Sequence, residues 1–330
     1  MILAGDIGGT NARLAFFEPG NGSPRLVSEH VFPSRQYTEF EEIASQFLKD
    51  SSIRPDVACF GIAGPVQNGQ VETSNLPWII KQSRLAKEMR VPATFLINDL
   101  EATAWGIGGL NPTDLTSLNR VPAAAGNQAV VAPGTGLGEA GLFWDGTRHH
   151  VFACEGGHAD FAPQGELQIE LLRFLSARYG HVSYERILSG PGLVNVYEFL
   201  QGKKQTTPAT PSQAANEITA QAISEAALNG SDPLAGEALD VWISVYGAEA
   251  GNLALKAMAL GGIFLGGGIS PKILPKLTGP KFMEAFLNKG RLRPVLENIS
   301  VQVITNDKAG LLGAARYAAN KCNPVFAGAS

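Results

Sequence analysis

After only five residues this chain reaches a polar, glycine-rich turn, Asp6-Ile7-Gly8-Gly9-Thr10-Asn11, set between two apolar runs. Residues 1–4 and 12–17 have the composition of buried strands, so the turn is predicted to close a β-hairpin. Two glycines let main-chain N–H groups converge without Cβ obstruction, an arrangement suited to gripping an anion. Asp6, at the strand end, is placed to hold a metal-bound water. A plain hairpin with a solvated aspartate would share most of these features, so the turn takes its meaning from the rest of the chain.

Residues 26–32 offer a third strand, and Thr38 opens a helix with Glu41 placed to complete a capping box. Phe40, Ile43, Ala44, Phe47 and Leu48 form the apolar stripe of that helix. Further strands are predicted over 57–62 and 93–97, the second running into Asn98-Asp99 and a helix from Leu100. This βββαβα order points to an α/β fold with a mixed sheet and antiparallel hairpins on one side, rather than a purely doubly wound one.

A second strand, glycine turn and strand unit spans 129–144 through Ala132-Pro133-Gly134-Thr135-Gly136-Leu137-Gly138. Sliding Phe16-Phe17 over Phe143-Trp144 lays Gly9 over Gly136 and puts Pro133 where Asp6 stood. The echo suggests two related lobes facing one nucleotide, with the metal-linked carboxylate in the first alone. Helical patterns cover 166–178, 191–200, 212–228 and 235–260. A short apolar strand at 262–265 breaks at Gly266-Gly267-Gly268, and another at 301–305 leads through Asn306-Asp307 into a helix over 310–319. Residues 203–211 read as a surface loop.

A length of 330 residues, with 38 glycines and 45 % hydrophobic residues, suits two compact lobes with their own cores. A formal charge of -4 without any Lys/Arg block gives no electrostatic reason to expect nucleic acid. Cys59, Cys154 and Cys322 are widely spaced and odd in number, which suggests neither a disulfide framework nor a zinc cluster. With no basic leader and no apolar span of about 18 residues, the expectation is a soluble cytoplasmic protein without a membrane partner.

The glycine turns at Gly8-Gly9, Gly134 to Gly136 and Gly266 to Gly268 each follow an apolar strand and can supply backbone donors to one anion, with Thr10 and Thr135 adding hydroxyls. Asn98-Asp99 sits where a strand meets a helix, the usual place for a reactive side chain in an open sheet, although an aspartate there can equally be a helix cap. In Cys154-Glu155-Gly156-Gly157-His158-Ala159-Asp160-Phe161, Glu155 and His158 flank a glycine pair able to aim both at a polyhydroxylated ligand. Glu185 lies near a helix start with Ser183 available as a cap, and can equally face solvent with Arg186. His158 can equally be a satisfied core histidine, and its companions are not spaced as zinc ligands. His149-His150 reads as a surface pair, and Cys154 as a packing residue.

Together these stretches resemble the bacterial ATP-dependent glucokinases of the hexokinase, acetate kinase and actin superfamily. The resemblance runs through residues 6–14, Ile97-Asn98-Asp99, Gly134-Thr135-Gly136-Leu137-Gly138, residues 155–163, Ser189-Gly190-Pro191-Gly192-Leu193 and Leu265-Gly266-Gly267-Gly268-Ile269. It implies a two-lobed actin-like ATPase (ribonuclease H-like) α/β fold with mixed sheets and a cleft between lobes. The small lobe would comprise 1–109 plus about 305–330, and the large lobe 110–304. The implied reaction moves the γ-phosphoryl group of ATP to the 6-hydroxyl of glucose, with Asp99 as general base. Asn98, Asp99, Glu155, His158 and Glu185 match residues that hold the sugar. Gly8, Gly9, Thr10 and Asn11 match one phosphate loop and Gly134, Thr135 and Gly136 the other, with Gly266, Gly267 and Gly268 on the adenosine side. Asp6 matches the carboxylate that holds Mg2+ through water, and a homodimer is what the family suggests. Ala162-Pro163-Gln164 stand where the sibling sugar-kinase and repressor family carries a cysteine zinc motif, so zinc is not expected. A repressor on this scaffold would need an added DNA-binding segment, which the early first strand leaves no room for ahead of Asp6. An actin-like chaperone would lack the Glu155, His158 and Glu185 group.

Overall fold

The computed structural model describes residues 1–20, 23–73, 76–204 and 218–322. The hairpin forms as expected: β1 (Ile2–Ile7) and β2 (Asn11–Glu18) pair antiparallel with Asp6 opposite Arg13, and β3 (Arg25–Pro33) extends the meander. Helix α1 (Phe40–Lys49) has Glu39 rather than Thr38 at its N-cap position. The later start moves the reach-back by one residue, so Thr38 donates through its N–H and its hydroxyl to Glu42, not to Glu41. Glu41 turns inward instead, 2 % exposed with Arg84 Nε 3.6 Å away, and burial raises its pKa.

After β4 (Val57–Ile62), the short strands β5 (Gln70–Glu72) and β6 (Ile79–Lys81) pair antiparallel and lead into α2 (Gln82–Met89). Sequence periodicity does not register three-residue strands, which is why this insertion was not anticipated. Then come β7 (Ala93–Asn98) and α3 (Asp99–Ile107). The first sheet runs β3-β2-β1-β4-β7, antiparallel on the β3 side and parallel across β1, β4 and β7. Alternation at a period of two buries both of its faces. Leu3, Ile7, Ala58 and Phe60 pack on Phe40, Ile43 and Phe47 of α1, while Ile2, Ala4, Val57 and Cys59 face the other way, onto Ala102 of α3 and onto the C-terminal helix.

The second sheet uses β8 (Leu115–Ser117), β9 (Gln128–Pro133), β10 (Leu137–Trp144) and β11 (His149–Cys154). The helices α4 (Gly165–Tyr179), α5 (Gly190–Lys204), α6 (Ala220–Asn229) and α7 (Pro233–Ala257) follow. The chain continues through β12 (Gly262–Leu265), α8 (Leu274–Leu277), α9 (Pro280–Leu287), α10 (Arg293–Leu296), β13 (Val301–Ile304) and α11 (Ala309–Cys322). The sheet order is β11-β10-β9-β12-β13-β8, with β9, β12 and β13 parallel.

Helix α7 is capped by Asp232, which accepts from Leu234 N at 2.8 Å, and Pro233 occupies its first turn. Its Trp242 and Tyr246 meet Phe282 and Phe286 of α9 in the core. Helix α6 begins at Ala220, capped by Thr219, so residues 212–217 of the anticipated helix lie outside the described residues. Lys203 and Lys204 end α5, and the rest of the anticipated 203–211 loop is likewise outside them.

Residue contacts gather the chain into two compact units. One comprises Met1–Leu115, Ala140–Ala153 and the chain from Asn306, the other Thr116–Glu139 and Cys154–Thr305. Among the described residues no helix is long and apolar enough to cross a membrane.

Candidate active site

In the first unit the parallel strands β1, β4 and β7 end along one edge of the sheet, Asp6 in register with Gly61 and Gly61 with Ile97. Strand ends at such an edge are where an α/β sheet presents chemistry. Asp6 shares the sheet face of Ile2 and Ala4, the face that α3 and α11 cover. A Cβ added at Gly310 in the first turn of α11 would lie 3.4 Å from Asp6 Oδ2, so that helix start abuts the carboxylate. Asp6 has its pKa pushed up to about 6 by burial and then by the Asp99 charge, with Arg13 pulling it back.

The cap of α3 is Asn98, not Asp99. Asn98 Oδ1 accepts from Leu100 N at 2.8 Å and Glu101 N at 3.3 Å, and its Nδ2 donates to Gly64 O at 3.2 Å. Asp99 is the first helical residue, and its backbone carbonyl accepts from Thr103 Oγ1. The hairpin turn is braced from β3's end: Ser34 Oγ donates to Gly8 O at 2.8 Å and Ser34 N to Thr10 O at 2.9 Å. Gly8 N itself donates to Asn11 O at 2.9 Å, so this N–H closes the turn. Gly8 and Gly9 are half-buried, and Thr10 and Asn11 are exposed.

Sequence reasoning passed over Arg13 and Asp307 in this region. Arg13 Nη2 lies 2.9 Å from Asp307 Oδ2 and its Nε 3.3 Å from Glu29 Oε1, and Lys308 also pairs with Glu29. A readable signal existed, because Asn306-Asp307 repeats Asn98-Asp99 at a second helix start. Asn306 Oδ1 accepts from Lys308 N at 2.9 Å much as Asn98 Oδ1 accepts from Leu100 N.

In the second unit two of the three glycine turns come together. Strands β9 and β12 pair in register, Val131 with Leu265, and Gly266 N donates to Val131 O at 2.9 Å. Gly267 has φ +77°, and a Cβ there would stand 2.3 Å from Pro133 O, so only glycine fits this approach of the two turns. Gly134 N donates to Gly136 O at 2.8 Å, and Gly190 N, opening α5, donates to Gly134 O at 2.8 Å. Thr135 is exposed.

Glu185 belongs to this turn as much as to a ligand. Its Oε2 accepts from Leu137 N at 2.9 Å, and a Cβ on Gly136 would sit 2.4 Å from that oxygen. The segment around it is a 3-10 turn, Tyr184–Arg186, and Ser183 makes no side-chain cap, contrary to the anticipated helix start. Arg186 lies over the Tyr179 ring, 4.3 Å from its centre. His158 is exposed rather than a core histidine, with Nδ1 4.0 Å from Glu185 Oε1. Glu155 is exposed and precedes the short turn Gly156–His158, which puts Glu155, His158 and Glu185 in one neighbourhood. That neighbourhood is knit by Phe161 N to Val182 O at 3.0 Å and Tyr184 N to Ala159 O at 3.1 Å.

The remaining candidates have structural surroundings. Cys154 is half-buried with its thiol pKa raised by burial, and His150 Nε2 lies 2.6 Å from Asp145 Oδ2 at the surface. Among the described residues no group of three or more His, Cys, Asp or Glu side chains is disposed to hold a metal ion.

The architecture defines a sugar kinase of the actin-like ATPase fold. The structure of a glucokinase from an Antarctic psychrotroph matches it with a TM-score of 0.84 at 32 % identity, over 97 % of this chain and 98 % of that one. A ROK family glucokinase from Streptomyces griseus, solved in complex with glucose and AMPPNP, shares the fold at a TM-score of 0.66 and 22 % identity, over 96 % of this chain and 98 % of its own. The chain belongs to the glucokinase family: the family's profile matches residues 3–321, and a glucokinase of Nostoc sp. is 42 % identical over 97 % of this chain and 99 % of its own length. It is accordingly an enzyme, a hexose kinase.

Proposed function

We propose that the chain transfers the γ-phosphoryl group of ATP to the 6-hydroxyl of glucose, releasing glucose 6-phosphate and ADP, with Asp99 as the general base. The observation that carries this reading is Asp99 at the start of α3, electrostatically coupled to Asp6 at a neighbouring strand end, in a chain of the glucokinase family. The sugar O6–phosphorus bond forms as the bond from phosphorus to the β,γ-bridging oxygen breaks, and the hydroxyl proton passes to Asp99. A free aspartate, with a pKa of about 4, is a weak base, but it suffices where the hydroxyl becomes acidic only as the new bond forms. Asn98 supplies the cap, Asp99 Oδ1 shares the Leu100 N–H at 3.0 Å, and we assign the proton to Asp99 Oδ2.

Asn98, Glu155, His158 and Glu185 would hold the glucose hydroxyls, since carboxylates, an amide and an imidazole offer the donors and acceptors a polyol needs. Because the N–H groups of Gly8 and Gly134 are engaged within their turns and that of Gly266 on Val131 O of β9, we assign the phosphate-facing donors to the later residues: Gly9, Thr10 and Asn11, then Thr135 and Gly136, then Gly267 and Gly268. Mg2+ fits this site as an ion brought by the nucleotide and held by Asp6 through water. The half-buried carboxylate beside Asp99 and Asp307 is an oxygen donor in need of positive charge, and no protein-built cage is required. When bound, the ion would neutralise charge on the transferring phosphate.

ATP as donor is supported by the fold shared with a protein that holds AMPPNP beside glucose. A cytoplasmic, homodimeric enzyme completes the reading, in keeping with three cysteines that are all unpaired. A coupled assay over a panel of hexoses, with and without ATP and Mg2+, tests it. Glucose-dependent ADP formation is the expected result, and ADP release indifferent to sugar would sink the proposal.

A further inference from the structure

We propose that Asn252 and Lys289 are positioning residues for the sugar: through the Tyr184 hydroxyl they hold Glu185 and the Glu155–His158 loop in binding geometry. The inference rests on the reading of those residues as the sugar site. Asn252 lies on α7 and Lys289 just beyond α9. Asn252 Nδ2 donates to the Tyr184 hydroxyl at 2.9 Å and to Glu249 Oε2 at 2.8 Å. Lys289 Nζ donates to Asn252 Oδ1 at 2.6 Å and to Ala248 O at 2.8 Å. An ammonium offers no acceptor, so it fixes the amide with its oxygen toward Lys289 and its two N–H bonds toward Tyr184 and Glu249.

Tyr184 is where the two sugar-facing segments are joined. Its N–H donates to Ala159 O at 3.1 Å, one residue after His158, and Phe161 N donates back to Val182 O at 3.0 Å. Its carbonyl accepts from Ile187 N at 2.9 Å and Leu188 N at 2.7 Å, closing the turn that carries Glu185. Its ring meets that of Phe161 edge to face, with 5.6 Å between centres. Tyr184 is 2 % exposed, so it acts on a sugar only through these neighbours. The loop itself rests on β10: a Cβ on Gly156 would lie 1.9 Å from Glu139 Oε2, and one on Gly157 2.1 Å from Leu137 O. The N–H of the same Leu137 binds Glu185 Oε2, so a shift of Tyr184 disturbs both segments together.

The chain is shaped to bring Lys289 to this place. Gly247 and Gly251, one turn apart on α7, let α9 and its end come against the helix. Cβ atoms there would lie 2.1 Å from Phe282 O and 2.6 Å from Phe286 O, and the second also 2.7 Å from Lys289 Cε. The surrounding core is aromatic, with Trp242, Tyr246, Phe282 and Phe286. Apolar side chains would fill such a space, and burial works against the Lys289 charge, lowering its pKa. The ammonium nevertheless spends its bonds on two neutral oxygens, an amide and a carbonyl. A satisfied polar network in an apolar core fixes one arrangement of the groups it joins, and the group at its end here is the Tyr184 hydroxyl.

Steady-state kinetics of the full chain test this with Tyr184→Phe, Lys289→Met and the double variant. Tyr184→Phe keeps the ring and the backbone bonds and removes only the oxygen that Asn252 holds. If the site is then in place for about a fifth to a tenth of the time, glucose KM rises about five- to tenfold. The KM for ATP and kcat should stay within about twofold, because the bond removed lies on the sugar side of the site. Lys289→Met, which keeps the apolar stem and frees the amide to turn, should raise glucose KM by a similar factor. The double variant should do little more than the larger single change, since both act through one amide. A merely structural role would lower the urea midpoint and leave glucose KM where it was. A glucose KM within about twofold of wild type in Tyr184→Phe, a loss carried by kcat instead, or KM effects that multiply in the double variant overturns the proposal. Should Lys289→Met fail to fold, Tyr184→Phe alone decides. Lack of glucose-dependent turnover in wild type strikes the kinase reading instead. Hydrogen exchange over residues 155–161 without ligand then decides the positioning, faster in Tyr184→Phe if Tyr184 holds the loop and unchanged if it does not.

Discussion

The turn between β1 and β2 and the turn between β9 and β10 are built alike and charged differently. In each, the first glycine spends its N–H inside the turn, Gly8 on Asn11 O at 2.9 Å and Gly134 on Gly136 O at 2.8 Å. The first turn brings its own carboxylate, Asp6, on the strand that leads into it, and ties that end of the sheet to Arg13, Glu29 and Asp307. The second has Pro133 in the equivalent place and takes a carboxylate from later in the chain, Glu185, which accepts from Leu137 N at 2.9 Å. The same backbone device therefore serves two ends. A carboxylate on the strand suits an ion, whereas one borrowed from a separate segment links the turn to whatever else that segment binds.

The largest effect should come from the first region. Asp99→Ala is expected to lower kcat by about 10²–10⁴-fold, the usual contribution of a positioned base, with a far smaller change in glucose KM. Purified variant and wild type compared at saturating glucose decide it, and a kcat within a few-fold of wild type removes Asp99 from the role.

Asp6→Asn sharpens the contrast because activity and stability should move in opposite directions. Asp6 has its pKa raised from 3.8 to about 6 in the folded chain, so the folded state binds that proton more tightly than the unfolded one. The associated stability is complete below the unfolded value and declines by about 1.4 kcal/mol per pH unit as pH rises, until the folded value is passed. Over the whole window this amounts to at most about 3 kcal/mol. Urea unfolding without Mg2+ or nucleotide should show Asp6→Asn more stable than wild type at about pH 8, with the gap shrinking toward about pH 4. Turnover with Mg2+ should fall in the same variant. A variant both less active and less stable at about pH 8 would mean that Asp6 braces the hairpin instead of straining it.

What the sequence disclosed follows from the distance over which each signal acts. The hairpin at Asp6, the strand end at Asn98-Asp99 and the glycine turns are each written within a few consecutive residues, where turn chemistry and strand periodicity can be read directly. The mixed order of the first sheet followed from three strands preceding the first helix. A one-residue change in a helix start was enough to misassign the capping partner, Glu42 for Glu41, and to hide a buried carboxylate. Glu139 and Glu249 lay beyond reach for a different reason. Each is a single acid in an otherwise apolar stretch, LGEAGLFW and the middle of α7, and only tertiary structure reveals that Glu139 Oε2 backs Gly156 and that Glu249 Oε2 accepts from Asn252 Nδ2. The tie between Glu185 and Gly136 was equally hidden, since it joins a loop to a turn from an earlier strand pair.

The smallest effects test whether the two turns really differ. A Cβ at Gly136 would lie 2.4 Å from Glu185 Oε2, and the easiest relief is for the glutamate to swing away, breaking its bond to Leu137 N and its approach to His158. Losing one hydrogen bond to a charged group costs about 1.5–3 kcal/mol, so Gly136→Ala should raise glucose KM about ten- to a hundredfold while the chain stays folded. Adding Gly136→Ala to Glu185→Ala should then do little more than Glu185→Ala alone, because both remove the same contact. At Gly8 the nearest atom to an added Cβ is Asn11 O at 3.3 Å, and Gly8 is not among the residues with positive φ, so a shift of a few tenths of an ångström accommodates it. Gly8→Ala should change glucose KM by less than about threefold, in line with substitutions that break no named contact. Equal damage from the two alanines would show that the turns share one role, and that the carboxylate behind Gly136 is incidental to the sugar.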